Sequence, residues 1–250
     1  MRNILLDLEY DGTDFCGSQV QSRGRTVQGE LERALCRLTQ QETRVILAGR
    51  TDAGVHASGQ RASFRTSCEL PLPTLQRALN ALLPPDLAVV RAQEVPESFH
   101  ARFSARRRTY RYTVYNASVR SPLARRYAWH VAEPLDVAPM AQVARTLVGE
   151  HDFASFASAG SGMGPRGTVR TVYRAECWRE GPWVYFEITA DAFLRGMVRS
   201  LMGQLCWVGL GRCSTSEFEA VWASRDRARL APPAPAHGLC LVRVEYDGVA

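Results

Sequence analysis

Apolar side chains occupy every second position from Ile4 to Tyr10 (Ile4, Leu6, Leu8, Tyr10), then recur at helical spacing behind Thr26 (Val27, Leu31, Ala34, Leu35, Leu38). The first period puts one face of a strand against a core, and the second puts one stripe of a helix there. Thr26 offers a side-chain oxygen to the first free N–H groups of that helix. A change of period this early commits the chain to a mixed α/β fold. Strands are expected next at about 43–48 and 59–65, separated by the polar loop Gly49–Ser58. A helix carrying Leu75, Leu79 and Leu82 follows, then a strand over Leu87–Arg91.

The order βαββαβ is the split arrangement of ferredoxin-like and RNA-recognition folds. The second half repeats it without repeating the sequence. Arg107–Tyr115 reads as a strand, and Met140, Val143, Ala144 and Leu147 mark a helix. Strands near Val169–Trp178 and Trp183–Thr189 come next. A helix from Ala192 to Val208 would bury Phe193, Met197, Leu201 and Leu205, with Arg195 and Arg199 one turn apart on another face. Ser214 and Glu217 have the spacing of a capping box, and Leu239–Tyr246 supplies a closing strand. Small residues fill Ala157–Thr168, and three prolines lie in Ala231–His237, so both read as surface loops. The expectation is an α/β protein of the α+β type, with two ferredoxin/RRM-like βαββαβ lobes. Their mixed, largely antiparallel sheets would meet at a central catalytic cleft, with lobes at 1–104 and 105–250.

All 31 basic residues are arginine, and the formal net charge is +6. Guanidinium groups suit phosphates and base edges, so the balance favours a polyanionic partner without naming one. The seven cysteines are scattered with no Cys-x-x-Cys, and the five histidines lack metal-ligand spacing. No phosphate-cradling or dinucleotide-binding glycine pattern appears either. The chemistry expected is therefore done with no metal and no cofactor. No apolar run approaches the ~18 residues of a membrane span, and the first residues already alternate as a strand where a leader would be apolar. A soluble, cytoplasmic protein is expected.

The most informative string is Gly49-Arg50-Thr51-Asp52-Ala53-Gly54-Val55-His56. It sets an arginine and an aspartate two positions apart in a glycine-bracketed loop after a buried strand. A lone Asp in such a loop is an ordinary turn residue, but eight residues in this order resemble the active-site motif of the tRNA pseudouridine synthase A family. The resemblance continues in Tyr10-Asp11-Gly12-Thr13 with Phe15, Gly17 and Gln19, and in Thr26-Val27-Gln28. It continues further in Phe99–Ala105 with Tyr110 and Tyr112, and in Ala192-Phe193-Leu194 with Met197-Val198-Arg199. Ala234-Pro235 with Gly238-Leu239 completes it. Two positions depart from the pattern: Ser18 stands where the family usually has Trp, and Arg61 where it usually has an apolar residue.

The resemblance implies isomerisation of uridine to pseudouridine at positions 38, 39 and 40 of the tRNA anticodon stem-loop by a cytoplasmic homodimer. It assigns Asp52 as the nucleophile. The chemistry alone leaves attack at the sugar, attack at the base and removal of the 2′ proton all open. Arg50 would reach toward the RNA, Tyr110 would hold the extruded base, and Arg199 would keep the carboxylate ionised. Arg102, Arg106, Arg107, Arg108 and Arg111 precede and line one strand, where they could track phosphates or form a solvated face. His56 and His100 suit structural hydrogen bonding better than acid–base chemistry. Rival readings are a synthase acting on other RNA positions, a catalytically silent RNA-binding module, and a metal-free hydrolase. The last would need a second carboxylate beside Asp52.

Overall fold

A computed structural model describes residues 1–22, 24–158, 160–162 and 166–249. They form two compact units, Met1–Arg108 with Cys240–Ala250, and Thr109–Leu239. Part of the loop expected over Ala157–Thr168 (159 and 163–165) lies outside the described residues.

In the first unit the order is β1 (Arg2–Tyr10), α1 (Val27–Thr39), β2 (Ile46–Leu47), β3 (His56–Thr66), α2 (Leu72–Leu82) and β4 (Leu87–Val95). β1 is central, antiparallel to β3 on one side and β4 on the other, and β2 is antiparallel to β3. That is the strand order of the βαββαβ arrangement read from the periodicity. Ile4, Leu6, Leu8 and Tyr10 are buried as the alternation requires. Thr26 caps α1, its side chain accepting the N–H of Gly29 at 3.2 Å. The β1–β4 register slips between Asp7 and Leu8. There the side-chain amide of Asn80 on α2 pairs with both backbone groups of Val89, at 2.9 and 2.7 Å. A backbone irregularity is thus satisfied by a helix side chain instead of by water.

The second unit takes in β5 (Ala105–Asn116) from Thr109, β6 (Trp129–Val131), α3 (Val137–Thr146), β7 (Gly149–Asp152), β8 (Val169–Glu180) and β9 (Trp183–Ala190). α4 (Met197–Gly209) and α5 (Thr215–Ala223) follow. The strands run in the order β5-β9-β8-β7, with β8 antiparallel to both neighbours and β6 parallel to β5. Nearly every residue of α4 is buried, which fits a helix apolar on all sides. The capping box of Ser214 and Glu217 is formed in both directions. No helix among the described residues is long and apolar enough to cross a membrane.

One expectation is corrected. The helix drawn from Ala192 starts at Met197, because Gly196 stands at its N-cap in the left-handed region (φ 72°). Arg195 is therefore an exposed loop residue and shares no helix face with Arg199. The expected closing strand is formed as β10 (Leu239–Tyr246). It pairs in parallel with β3, Cys240 opposite His56 and Leu241 opposite Ala57, and residues from Cys240 on group with the first unit. The unit boundary itself falls at Arg108–Thr109.

Candidate active site

The loop carrying Asp52 leaves β2 and enters β3, and it is pinned on both sides of the carboxylate. Gln60, fully buried on β3, donates from Nε2 to the carbonyl of Gly49 at 2.8 Å and accepts the Gly49 N–H at 3.2 Å. Thr51 is held three ways. Its N–H donates to Ser18 Oγ at 2.9 Å, its carbonyl accepts the Ser18 N–H at 3.0 Å, and its hydroxyl meets that of Tyr10 at 2.8 Å. Burial pushes the Tyr10 phenol up to about 12, so it stays protonated at neutral pH and keeps that bond.

Beyond Asp52 the chain turns tightly. The carbonyl of Asp52 accepts the Val55 N–H at 3.1 Å, and Gly54 adopts φ 77°. A Cβ on Gly12 would sit 2.0 Å from the Val55 carbonyl oxygen, so only glycine lets these two loops touch. Arg25 braces the far side, binding Asp86 through two 2.6 Å bonds and Glu30 at 2.7 Å, with its guanidinium 4.3 Å from the Phe15 ring centre. His56 accepts the Gly12 N–H on Nδ1 at 3.0 Å, and His100 Nδ1 accepts the N–H groups of Arg102 and Phe103 at 3.2 Å each. Both histidines serve the backbone, as expected of them. The result is a half-buried Asp52 and an exposed Arg50 on a loop anchored at Gly49 and Thr51 and closed by a tight turn after Asp52.

Ser18 and Arg61, the two departures from the pattern, now have physical accounts. Ser18 is fully buried and supplies the oxygen that the Thr51 N–H needs. Arg61 faces Asp7 across the β1–β3 pair, Nε to Oδ1 at 3.0 Å without hydrogen-bond alignment, and lies over the Tyr246 ring. Burial raises the Asp7 carboxyl, against the pull of Arg61 and Arg91. Neither Tyr10, Ser18 nor Gln60 was singled out from sequence as a support of the loop.

The remaining site residues are distributed between the units. In the second, Tyr110 is buried on β5 with its ring edge-on to Phe193 at 5.0 Å. Arg199, in the first turn of α4, donates from Nε to the Ala234 carbonyl at 2.7 Å. Arg111 pairs with Glu187 at 2.7 Å and lies near the rings of Trp178 and Tyr185. In the first unit, Arg108 donates to the carbonyls of Ala48 and Arg102, and Arg106 meets the exposed Asp247 at 2.7 Å. Arg102 and Arg107 are exposed. The five arginines are thus not one uniform run: Arg108 and Arg111 carry structural bonds, and Arg102, Arg106 and Arg107 lie on the surface.

A model of the tRNA pseudouridine synthase family matches residues 8–104 and 143–247, which include the whole Asp52 loop and its supports. The chain belongs to this family. Tyr110 and Arg106–Arg111 fall between the matched segments. Among curated relatives, the tRNA pseudouridine synthase A of Moorella thermoacetica is 48% identical over 97% of this chain and 99% of its own. That of a Roseiflexus species is 50% identical over 98% of this chain and 91% of its own. That of a Geobacter species is 44% identical over 98% and 99%. A chain from a Cbf5-Nop10-Gar1 complex aligns at 12% identity with a TM-score of 0.35, over 84% of this chain and 54% of that one, too weak a likeness to bear on the site. Members of the family are isomerases.

Proposed function

We propose that this chain converts uridine to pseudouridine at positions 38, 39 and 40 of the tRNA anticodon stem-loop, with the Asp52 carboxylate as nucleophile. One observation carries the reading. Asp52 is partly open to solvent, while Gly49 and Thr51 before it are held by the buried Gln60 and Ser18 and the chain after it closes in a tight turn. A nucleophile gains most when its approach is fixed before the substrate arrives. The reaction breaks the N1–C1′ bond and joins C5 to C1′. The proton on C5 leaves and N1 gains one, so nothing is consumed and no cofactor is required.

The target base is stacked in a stem and must leave it to be reached. Tyr110 would hold the extruded ring, and Arg50 would occupy the space it leaves or bind an adjacent phosphate. Arg199 would pair with the carboxylate and keep it charged. Arg102, Arg106, Arg107, Arg108 and Arg111 would contribute positive field toward the backbone, the exposed ones by direct contact. We further propose that the protein works as a homodimer in the cytoplasm.

The test is to incubate wild type and Asp52→Asn with unmodified tRNA, map pseudouridine at each position, and measure tRNA binding. Asp52→Asn keeps the shape of the side chain and loses the nucleophile. It should bind tRNA as wild type does and form no pseudouridine. Wild-type turnover in Asp52→Asn would overturn the assignment, and modification elsewhere than 38–40 would overturn the positions.

A further inference from the structure

Phe103 is 76% exposed, yet the turn that carries it is among the most firmly bonded parts of the first unit. Each of the five backbone N–H groups from His100 to Ser104 donates to a partner. His100 donates to Ser104 Oγ at 3.1 Å, Ala101 to Ser63 Oγ at 3.1 Å, and Arg102 and Phe103 to His100 Nδ1. Ser104 donates to the His100 carbonyl at 2.9 Å. The Tyr246 hydroxyl fastens the carbonyl of Ala101 at 2.7 Å, and Arg108 fastens that of Arg102 at 2.8 Å. The turn therefore owes little of its shape to the phenyl ring, which projects from it.

Single exposed apolar residues are common and need no explanation. The surroundings of this one do. His100 stacks on one face of Phe103 with ring centres 4.3 Å apart, and the Arg102 guanidinium is 5.6 Å from the ring centre. Phe103 also lines a concavity of about 390 Å³ with Phe99 and with Arg106, whose guanidinium is paired there with Asp247 at 2.7 Å. An exposed aromatic ring beside a guanidinium is the combination that receives an unpaired nucleobase and its phosphate. The turn that carries Phe103 is also tied to the chain leading into the Asp52 loop. The same Nη2 of Arg108 that holds the Arg102 carbonyl donates to the carbonyl of Ala48 at 3.0 Å, and Ala48 opens the loop Gly49–Asp52. One guanidinium spans the two loops.

We propose that Phe103 is a stacking platform for an unpaired base of the tRNA, near the nucleotide presented to Asp52. The proposal rests on the tRNA-modifying reading above. It assigns the exposed ring the binding role, Arg102 the phosphate, and His100 and Arg108 the positioning of both.

The experiment measures affinity for unmodified tRNA across a salt series for wild type, Phe103→Ala, Phe103→Trp and Arg102→Ala, with sedimentation mass recorded for each. Loss of one stacked base corresponds to binding about 5- to 150-fold weaker. Phe103→Ala should show that loss with the salt slope unchanged, Phe103→Trp should restore binding, and Arg102→Ala should flatten the slope by roughly 0.7–0.9. Wild-type affinity in Phe103→Ala, while wild type modifies tRNA, sinks the platform alone. A changed sedimentation mass in Phe103→Ala makes the ring a subunit contact and also overturns it. A wild type that binds no tRNA sinks the tRNA reading and the platform together.

Discussion

Ser18→Ala removes one oxygen atom from a fully buried position, and that oxygen is the acceptor for the Thr51 N–H at 2.9 Å. The Ser18 N–H to Thr51 carbonyl bond survives, because it is made by backbone alone. What is lost is one bond and the solvation of a buried donor, together about 1–3 kcal/mol. The loss is local, so it is best read locally. Hydrogen exchange at Thr51 should speed by about 5- to 150-fold if exchange proceeds through opening of this loop. Global unfolding in urea, followed by circular dichroism, should show destabilisation within the same range. On the proposed role of Asp52 turnover should fall too, since Thr51 directly precedes it and a small misplacement of a nucleophile is costly. Tyr10→Phe acts on the hydroxyl of the same threonine. The double variant should therefore be non-additive, with a coupling of about 0.5–3 kcal/mol. Unchanged exchange at Thr51 in Ser18→Ala would refute the pinning argument. Lost stability with undiminished turnover would reduce Ser18 to a packing residue.

Two further outcomes follow from other parts of the chain. Burial pushes the thiols of Cys177 and Cys206 up to about 12 and about 11, whereas Cys16 and Cys36 are exposed. A thiol reagent at mildly alkaline pH should label the latter pair quickly and the former only after unfolding, and equal rates for all four would contradict the packing. The backbone N–H and hydroxyl of Ser214 hold the Glu217 carboxyl below its ordinary value of 4.5. A depressed carboxylate pKa stabilises the fold above the unfolded value and ceases to do so as pH falls through the folded one. The stability gap between wild type and Glu217→Ala should therefore narrow on acidification from neutral pH to below 4.5, and a gap independent of pH would count against the capping box.

The first unit was largely legible in the sequence because its elements announce themselves by period: alternation in β1, a helical stripe in α1, and Leu75 with Leu79 in α2. The second unit was less so. β6, Trp-His-Val, pairs in parallel with β5 but is too short for its alternation to stand out, and β7 is Gly-Glu-His-Asp, with no apolar side chain to mark it. The start of α4 was misplaced because Phe193 and Leu194 continue the apolar spacing of the helix, and the signal to stop was Gly196. For the site, the string around Asp52 stood out by itself, but its supports did not. Ser18 and Tyr10 lie 33 and 41 residues from Thr51, and nothing local marks a serine that will be buried against a distant N–H. The arginine run shows the same limit. Arg108 and Arg111 looked like their neighbours until their partners, Ala48 and Glu187, were in view.

The pairing of β10 with β3 has a consequence for the order of events at synthesis. Cys240 lies beside Ser58, 182 residues away in sequence, in the strand that begins four residues after Asp52. A ribosome that has released residues up to Arg108 has made everything in the first unit except this strand and the few residues after it, so β3 waits with part of one edge unpaired. Contacts of such long sequence separation form late and slowly. The sheet beside the Asp52 loop is thus completed only after the second unit has been made. A nascent chain stopped before residue 239 should carry every residue of the Asp52 loop and still lack the strand that closes the sheet beneath it.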